Sequence, residues 1–265
     1  MDDGGVVVSR REGEVLRIVL SRPNRRNALS AGMISTLIEV LSSAAVDDTL
    51  RAVLIEGSGS DFCAGVDWVA TNDAGIRPRT GQLARRVPLQ AHRVIELVYN
   101  LQLPVVASVR GWAVGLGLGL ALASDFTVAS RDAILWAPFG RRGFTPDSGT
   151  TWLAQRLVGL ARAKELLLLG RKVSGAEAAE MGLIHRAVDE AELDGTVAAL
   201  VAELADGPTV ALGMAKAAIH RASSRTLTES LVDEAATLDL ASRTHDFKEG
   251  LKAFVERRDP KFQGR

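Results

Sequence analysis

The chain is 265 residues long, 47% hydrophobic and 24% charged, with 32 basic residues against 32 acidic ones. That length supports one large domain, or a domain with a small appendage, around a sizeable core. The even balance excludes a global field for nucleic acid or an anionic membrane, and a single cysteine, Cys63, excludes an intrachain disulfide and a cysteine-based metal site.

The opening MDDGGVVVS is acidic, unlike the basic start of a signal peptide. The longest uncharged run, between Arg110 and Asp125, is shorter than the ~20 residues that cross a bilayer. The expectation is a soluble protein of a reducing, cytoplasmic compartment. Val6–Ser9 and Val15–Leu20 read as strands of a hairpin turning at a Glu-Gly pair. SRPNRRNALS follows as a loop, with Ser30 the N-cap of a helix from about Ala31 to Val46. LRAVLIEGSG is a buried strand, SDFCAGVDW a loop, and residues 71–81 a Gly/Arg-rich connection. One long amphipathic helix is predicted over Gln82–Asn100.

PVVASVRG is the next buried strand, and DFTVAS and AILWA are two more. From Thr150 onward helices are predicted over 150–157, 160–169, 174–181, 190–205, 208–221, 226–243 and 246–258. Strands alternate with helices early and helices dominate late, which predicts an α/β core and a helical tail. RAVLIEGSGSDFCAGVDW and PVVASVRGWAVGLGLGL repeat one plan: strand, turn, small residues, helix start. Side by side, two such units bring two helix N-termini together, a site for an anion or a developing oxyanion.

The stretch GWAVGLGLGLALASDF raises a nucleotide reading that its spacing does not support. A G-x-G-x-x-G starting at Gly115 meets Leu120 where the third glycine belongs, and no acid lies about twenty residues on at a strand end to hold a ribose. Close helix–strand packing is the plain alternative, and backbone chemistry is the other. No G-x-S-x-G occurs, and Ser148 in TPDSGTT has no histidine in a matching context. Nothing near Cys63 is cationic enough to make a thiolate, so it reads as a small buried filler.

FCAGVDW at 62–68, ALASD at 121–125, GFTPDSGTTWLAQRLVG at 143–159, AAEMGLIHRAV at 178–188 and KEGLKAFVERRDPKF at 248–262 together resemble the crotonase superfamily of enoyl-CoA hydratases and isomerases. The match runs in order from Val15 to Phe262. The resemblance implies an α/β crotonase-like fold of repeated ββα units in a superhelix with a helical C-terminal segment. It divides the chain into a core over 1–200 and a helical segment over 201–265 that serves oligomerisation and CoA contacts. It implies an acyl-CoA thioester as substrate and no separate cofactor, since coenzyme A is part of that substrate. Two backbone N–H groups, of Val66 after Ala64-Gly65 and of Leu116 after Gly115, are implied as holders of the enolate oxygen.

Hydratases of this family use two glutamates, whose places here are Gly119 and Phe139. Neither can transfer a proton. Asp147 remains, at a position that resembles the aspartate of family isomerases, closest in motif to those acting on ring-epoxide phenylacetyl-CoA. Two readings stand for it: a proton shuttle, or an N-cap for the helix behind Pro-Asp-Ser. Asp67 and Trp68 read either as a first-turn acid and a core wall or, by resemblance, as substrate contacts beside pantetheine and adenine. Arg25 is implied near the CoA phosphates, with solvated surface charge as the alternative. Phe254 and Arg257 are implied near the adenine, often across subunits, with an ordinary amphipathic helix as the alternative. His185 is expected to cap or pack. Phe139, Trp136 and Trp112 are expected to form an apolar acyl pocket.

Three functions follow: an isomerase using Asp147, a hydratase or other enolate enzyme with different acids, and a non-catalytic acyl-CoA binder. A homotrimer or dimer of trimers is implied by resemblance, with no nucleic-acid or membrane partner.

Overall fold

Val53 and Ile55 face one hydrophobic cluster while Ala52 and Leu54 face another, so this strand is buried on both sides. Val105, Ala107 and Val109 alternate with Val106 in the same way. Strands covered on both faces read as continuous apolar runs, which is why these two were legible. The computed structural model describes residues 5–67 and 79–265.

Among those residues the strands are β1 (Val6–Glu12), β2 (Val15–Ser21), β3 (Ala52–Gly57), β4 (Val105–Val109), β5 (Trp112–Val114), β6 (Phe126–Ser130), β7 (Ile134–Trp136), β8 (Lys172–Ser174) and β9 (Arg186–Val188). The helices are α1 (Ala31–Ala44), α2 (Gln82–Arg86), α3 (Ala91–Asn100), α4 (Leu116–Ala123), α5 (Thr150–Leu168), α6 (Gly175–Glu180), α7 (Glu190–Asp206), α8 (Thr209–Ala222), α9 (Leu227–Ala241) and α10 (His245–Glu256).

The main sheet runs β1-β2-β3-β4-β6-β9, antiparallel at the β1–β2 hairpin and parallel thereafter. A second sheet, β5-β7-β8, stands beside it. The larger cluster lies between one sheet face and α1, α3, α4 and α5, and α7 covers the other face with Leu193, Val197 and Val201. Buried on both faces, helices alternating with parallel strands, this is the expected α/β plan.

Several elements differ from expectation. The helix predicted over 82–100 is broken, because Pro88 lacks an N–H and disfavours helical backbone before it. A short 3-10 turn, Val87–Leu89, fills the gap. The pieces predicted over 150–157 and 160–169 form one element kinked at Gly159 (φ 74°, ψ 168°). β5, β8 and β9 were not predicted as strands. Ser30 caps α1 as expected, accepting from Met33 N–H, and the helix ends at Ala44.

Beyond α7 the chain turns outward. α8 is anchored where Lys216 Nζ donates to Asp125 Oδ2 at 2.7 Å and to the carbonyls of Val98 and Leu103. Burial pushes the Asp125 carboxyl up and the Lys216 ammonium down, so desolvation outweighs their attraction. α9 buries no residue, and α10 leaves Phe254 84% and Val255 80% exposed.

Candidate active site

Three chain segments meet at the carboxyl ends of β3 and β4. Asn27, fully buried, ties two of them: its Nδ2 donates to the carbonyls of Ser58 and Asp61, and its Oδ1 accepts from Arg22 N–H. The segment after β3 then runs alongside β5. Phe62 N–H donates to Arg110 O, Cys63 N–H to Trp112 O, and Val114 N–H to Cys63 O, each at 2.8–2.9 Å. Ala64 N–H donates to Arg26 O, binding the same segment to the arginine-rich loop.

Val66 is held by its neighbours. Leu29 N–H donates to Gly65 O and Asp67 N–H donates to Leu29 O, a parallel bridge that leaves the Val66 N–H without an acceptor among the described residues. Leu116 opens α4, and its N–H likewise meets no acceptor among the described residues. Gly65 has φ +90°, and a Cβ placed there would lie 2.7 Å from Val114 O and 3.4 Å from Leu116 N. The residue before one donor therefore lies against the other. Two free amides, side by side, can hold one oxygen.

α4 is buried on every side, as its composition demands. Its glycines are places of contact. A Cβ on Gly117 would lie 2.2 Å from Cys63 O, and one on Gly119 would lie 2.5 Å from Ser148 O and 3.0 Å from Ser148 Cβ. So Ser148 sits against α4 one turn, about 4.5 Å along the axis, after the Leu116 amide.

Asp147 stands directly before Ser148 and is half-buried. Its carboxylate does not cap α5: the N-cap is Gly149 at φ 73°, with no side-chain bond. The Asp147 carbonyl oxygen, not the carboxylate, accepts from the Thr150 N–H (3.0 Å) and hydroxyl (2.7 Å). The carboxylate Oδ1 accepts from the Ser148 hydroxyl at 2.7 Å. Of the two readings of Asp147, the cap is not the one realised.

The remaining predicted positions spread out. Asp67 lies inside, its Oδ2 2.8 Å from Arg22 Nη1, with the two side chains 11% and 6% exposed. Arg25 is exposed at the end of the turn Pro23–Arg25, in the loop bonded to Ala64. Trp68 lies outside the described residues. Phe139 is buried in the main core with its ring edge-on to Phe144, whereas Trp112 and Trp136 meet edge-on at 6.1 Å with Lys172 Nζ about 5 Å from both rings. The expected apolar wall is thus divided between the core and a cation-bearing surface. Phe254 and Arg257 end α10, Arg257 in left-handed conformation. His185 packs edge-on to Phe126, as expected. Cys63 is the buried filler expected, its thiol pushed by burial up to about 12.

Sequence reasoning missed Arg22, Asn27 and His92. The Nε2 of His92 accepts from Ser148 N–H at 3.4 Å, and the ring lines a cavity of about 480 Å³ with Ile95, Tyr99, Gly149, Trp152 and Leu153. Only proximity in the fold connects these residues, so no local spacing announces them.

A family model for enoyl-CoA hydratase/isomerase matches residues 10–265. The chain is 38% identical over 262 residues to the 1,2-epoxyphenylacetyl-CoA isomerase of Escherichia coli, covering 98% of each chain. Its fold is similar to the crystal structure of an enoyl-CoA hydratase from Polaromonas, with a TM-score of 0.91, 30% identity, and 98% and 100% of the two chains covered. An enoyl-CoA hydratase from Bacillus anthracis gives a TM-score of 0.90 at 31% identity, covering 98% and 99%.

Proposed function

The chain belongs to the enoyl-CoA hydratase/isomerase family, with the crotonase fold, and from that premise we propose that it is an acyl-CoA isomerase using Asp147 as its proton shuttle. The observation that carries this reading is the occupied space at Gly119. Where a hydratase projects a glutamate, the backbone of Ser148 fills the position, and the adjacent carboxylate is Asp147. The relative named 1,2-epoxyphenylacetyl-CoA isomerase supports the same choice.

In this reading the thioester oxygen of an enoyl-CoA receives the Val66 and Leu116 N–H groups. Asp147 takes a proton from the carbon beside the thioester, and the electron pair moves onto that oxygen. The two amides hold charge that exists only as the bond breaks, so they lower the barrier rather than merely bind. Asp147 then returns the proton to the far end of the conjugated system, which shifts the double bond. One carboxylate suffices, because the same proton is taken and given back. Arg25, Ala64 and Gly65 form the CoA side of the site. The exposed apolar face of α10 is covered by further copies in a trimer, bringing Phe254 and Arg257 toward a neighbour's CoA.

The deciding experiment compares the parent with Asp147→Asn on a panel of 3-enoyl- and aryl-CoA thioesters. The variant is expected to lose turnover and keep CoA-ester binding. Full activity in the variant overturns the reading. Rapid hydration of crotonyl-CoA by the parent identifies a hydratase instead, and tight binding without conversion across the panel identifies a binding protein.

A further inference from the structure

We infer that Ser148 is a positioning residue for Asp147, fixing the direction of its carboxylate through the hydroxyl; this rests on the shuttle reading above. Ser148 is 1% exposed and its hydroxyl donates to Asp147 Oδ1 at 2.7 Å, so Oδ2 is the oxygen this bond leaves available. A donor fixed to one oxygen limits rotation of the carboxylate, so the other oxygen is held in one direction.

The backbone at Ser148 is arranged to make that bond. Ser148 has φ 55°, a left-handed conformation that few non-glycine residues adopt, and a glycine there would fit with less strain. Three contacts hold it in place. Its N–H is received by His92 Nε2 from α3, its carbonyl and Cβ press on Gly119 of α4, and the Asp147 carbonyl before it receives both donors of Thr150 from α5. A residue kept in a strained conformation by three helices, in order to present a hydroxyl to a carboxylate, has a purpose beyond filling space. Glycine at 119 is part of the same device, since a side chain there would push Ser148 away.

The test uses Ser148→Gly, which removes the hydroxyl and suits the backbone, beside Ser148→Ala, which removes the hydroxyl and keeps the Cβ. Both variants are measured in the full chain, where their melting temperatures should differ because only one suits the left-handed backbone. With an enoyl-CoA substrate, kcat of both variants at neutral pH should fall about tenfold, the loss of one hydrogen bond to a charged group, with KM within twofold. An unchanged kcat in both folded variants overturns the inference even if Asp147→Asn is inactive. An active Asp147→Asn overturns the shuttle reading and this inference together.

Discussion

Gly119 and Ser148 touch backbone to backbone: one carbon added to Gly119 would sit 2.5 Å from the Ser148 carbonyl oxygen. Gly119→Ala should therefore overpack the site at a cost of about 1–3 kcal/mol. In a domain of this size that lowers the melting temperature by about 2–4 °C per kcal/mol, read by calorimetry. Gly119→Glu should fold worse still and gain no hydration of crotonyl-CoA. Any gain of hydratase activity contradicts the packing argument.

The Leu116 amide can be removed without removing the helix. Proline is favoured at the first position of a helix, where its missing N–H would bond to nothing within the helix anyway. Leu116→Pro should cost about 10²–10³-fold in kcat, the effect of deleting one oxyanion donor. Leu116→Ala keeps the amide and loses only packing, so its loss should fall on stability. Equal kcat in the two variants would exclude the amide from catalysis.

Arg22 and Asp67 form a buried pair beside Val66. Breaking it from one side removes a buried charge-assisted hydrogen bond, which costs about 1.5–3 kcal/mol. Arg22→Met should show this in urea unfolding, with kcat/KM reduced because Val66 is no longer held. Arg22→Met combined with Asp67→Leu should recover part of the stability. Strict additivity of the two single changes would mean that the pair does not interact.

His220 stacks on Tyr99 with ring centroids 3.7 Å apart. Burial, aided by the nearby Lys216 charge, holds its pKa down to about 4 from an ordinary 6.5. The unfolded chain thus binds this proton more readily than the folded one. Its contribution to stability is complete above pH 6.5 and is lost as pH falls through about 4. His220→Phe keeps the stack and should flatten the melting temperature between those limits. An unchanged slope would place the acid sensitivity elsewhere.

Phe254 and Val255 are exposed at the end of α10, an apolar end that water does not favour. Sedimentation velocity should find the parent as a trimer or a pair of trimers, and Phe254→Glu shifted toward the single-chain mass. A parent that sediments as a monomer at micromolar concentration overturns the assembly.

β3 and β4 were legible because each carries its own burial in a run of apolar residues. β5, β8 and β9 have three residues apiece, too few for a period to register, and their place in the sheets is set by partners far along the chain. The amphipathic pattern of 82–100 runs through Pro88 without interruption, so it does not mark the break that the proline makes in the backbone. The meeting of two strand-to-helix turns is legible in chain direction, and the Val66 and Leu116 amides are picked out within them by the family resemblance alone. The site was not legible at Asp147, whose two readings differ only in where a carboxylate points. Arg22, Asn27 and His92 act on residues distant in sequence, and each is an ordinary polar residue in its own neighbourhood.

The bridge between Cys63 and Ala113 joins the two donor segments by sheet hydrogen bonds within the core. Those bonds can open only when that part of the sheet opens, so the amides of Cys63 and Val114 should exchange with deuterium on the timescale of global unfolding. The Val66 and Leu116 amides, bonded to nothing among the described residues, should exchange far sooner and slow down when a thioester oxygen arrives. The cradle is rigid and only its two empty hands are free to trade protons with water.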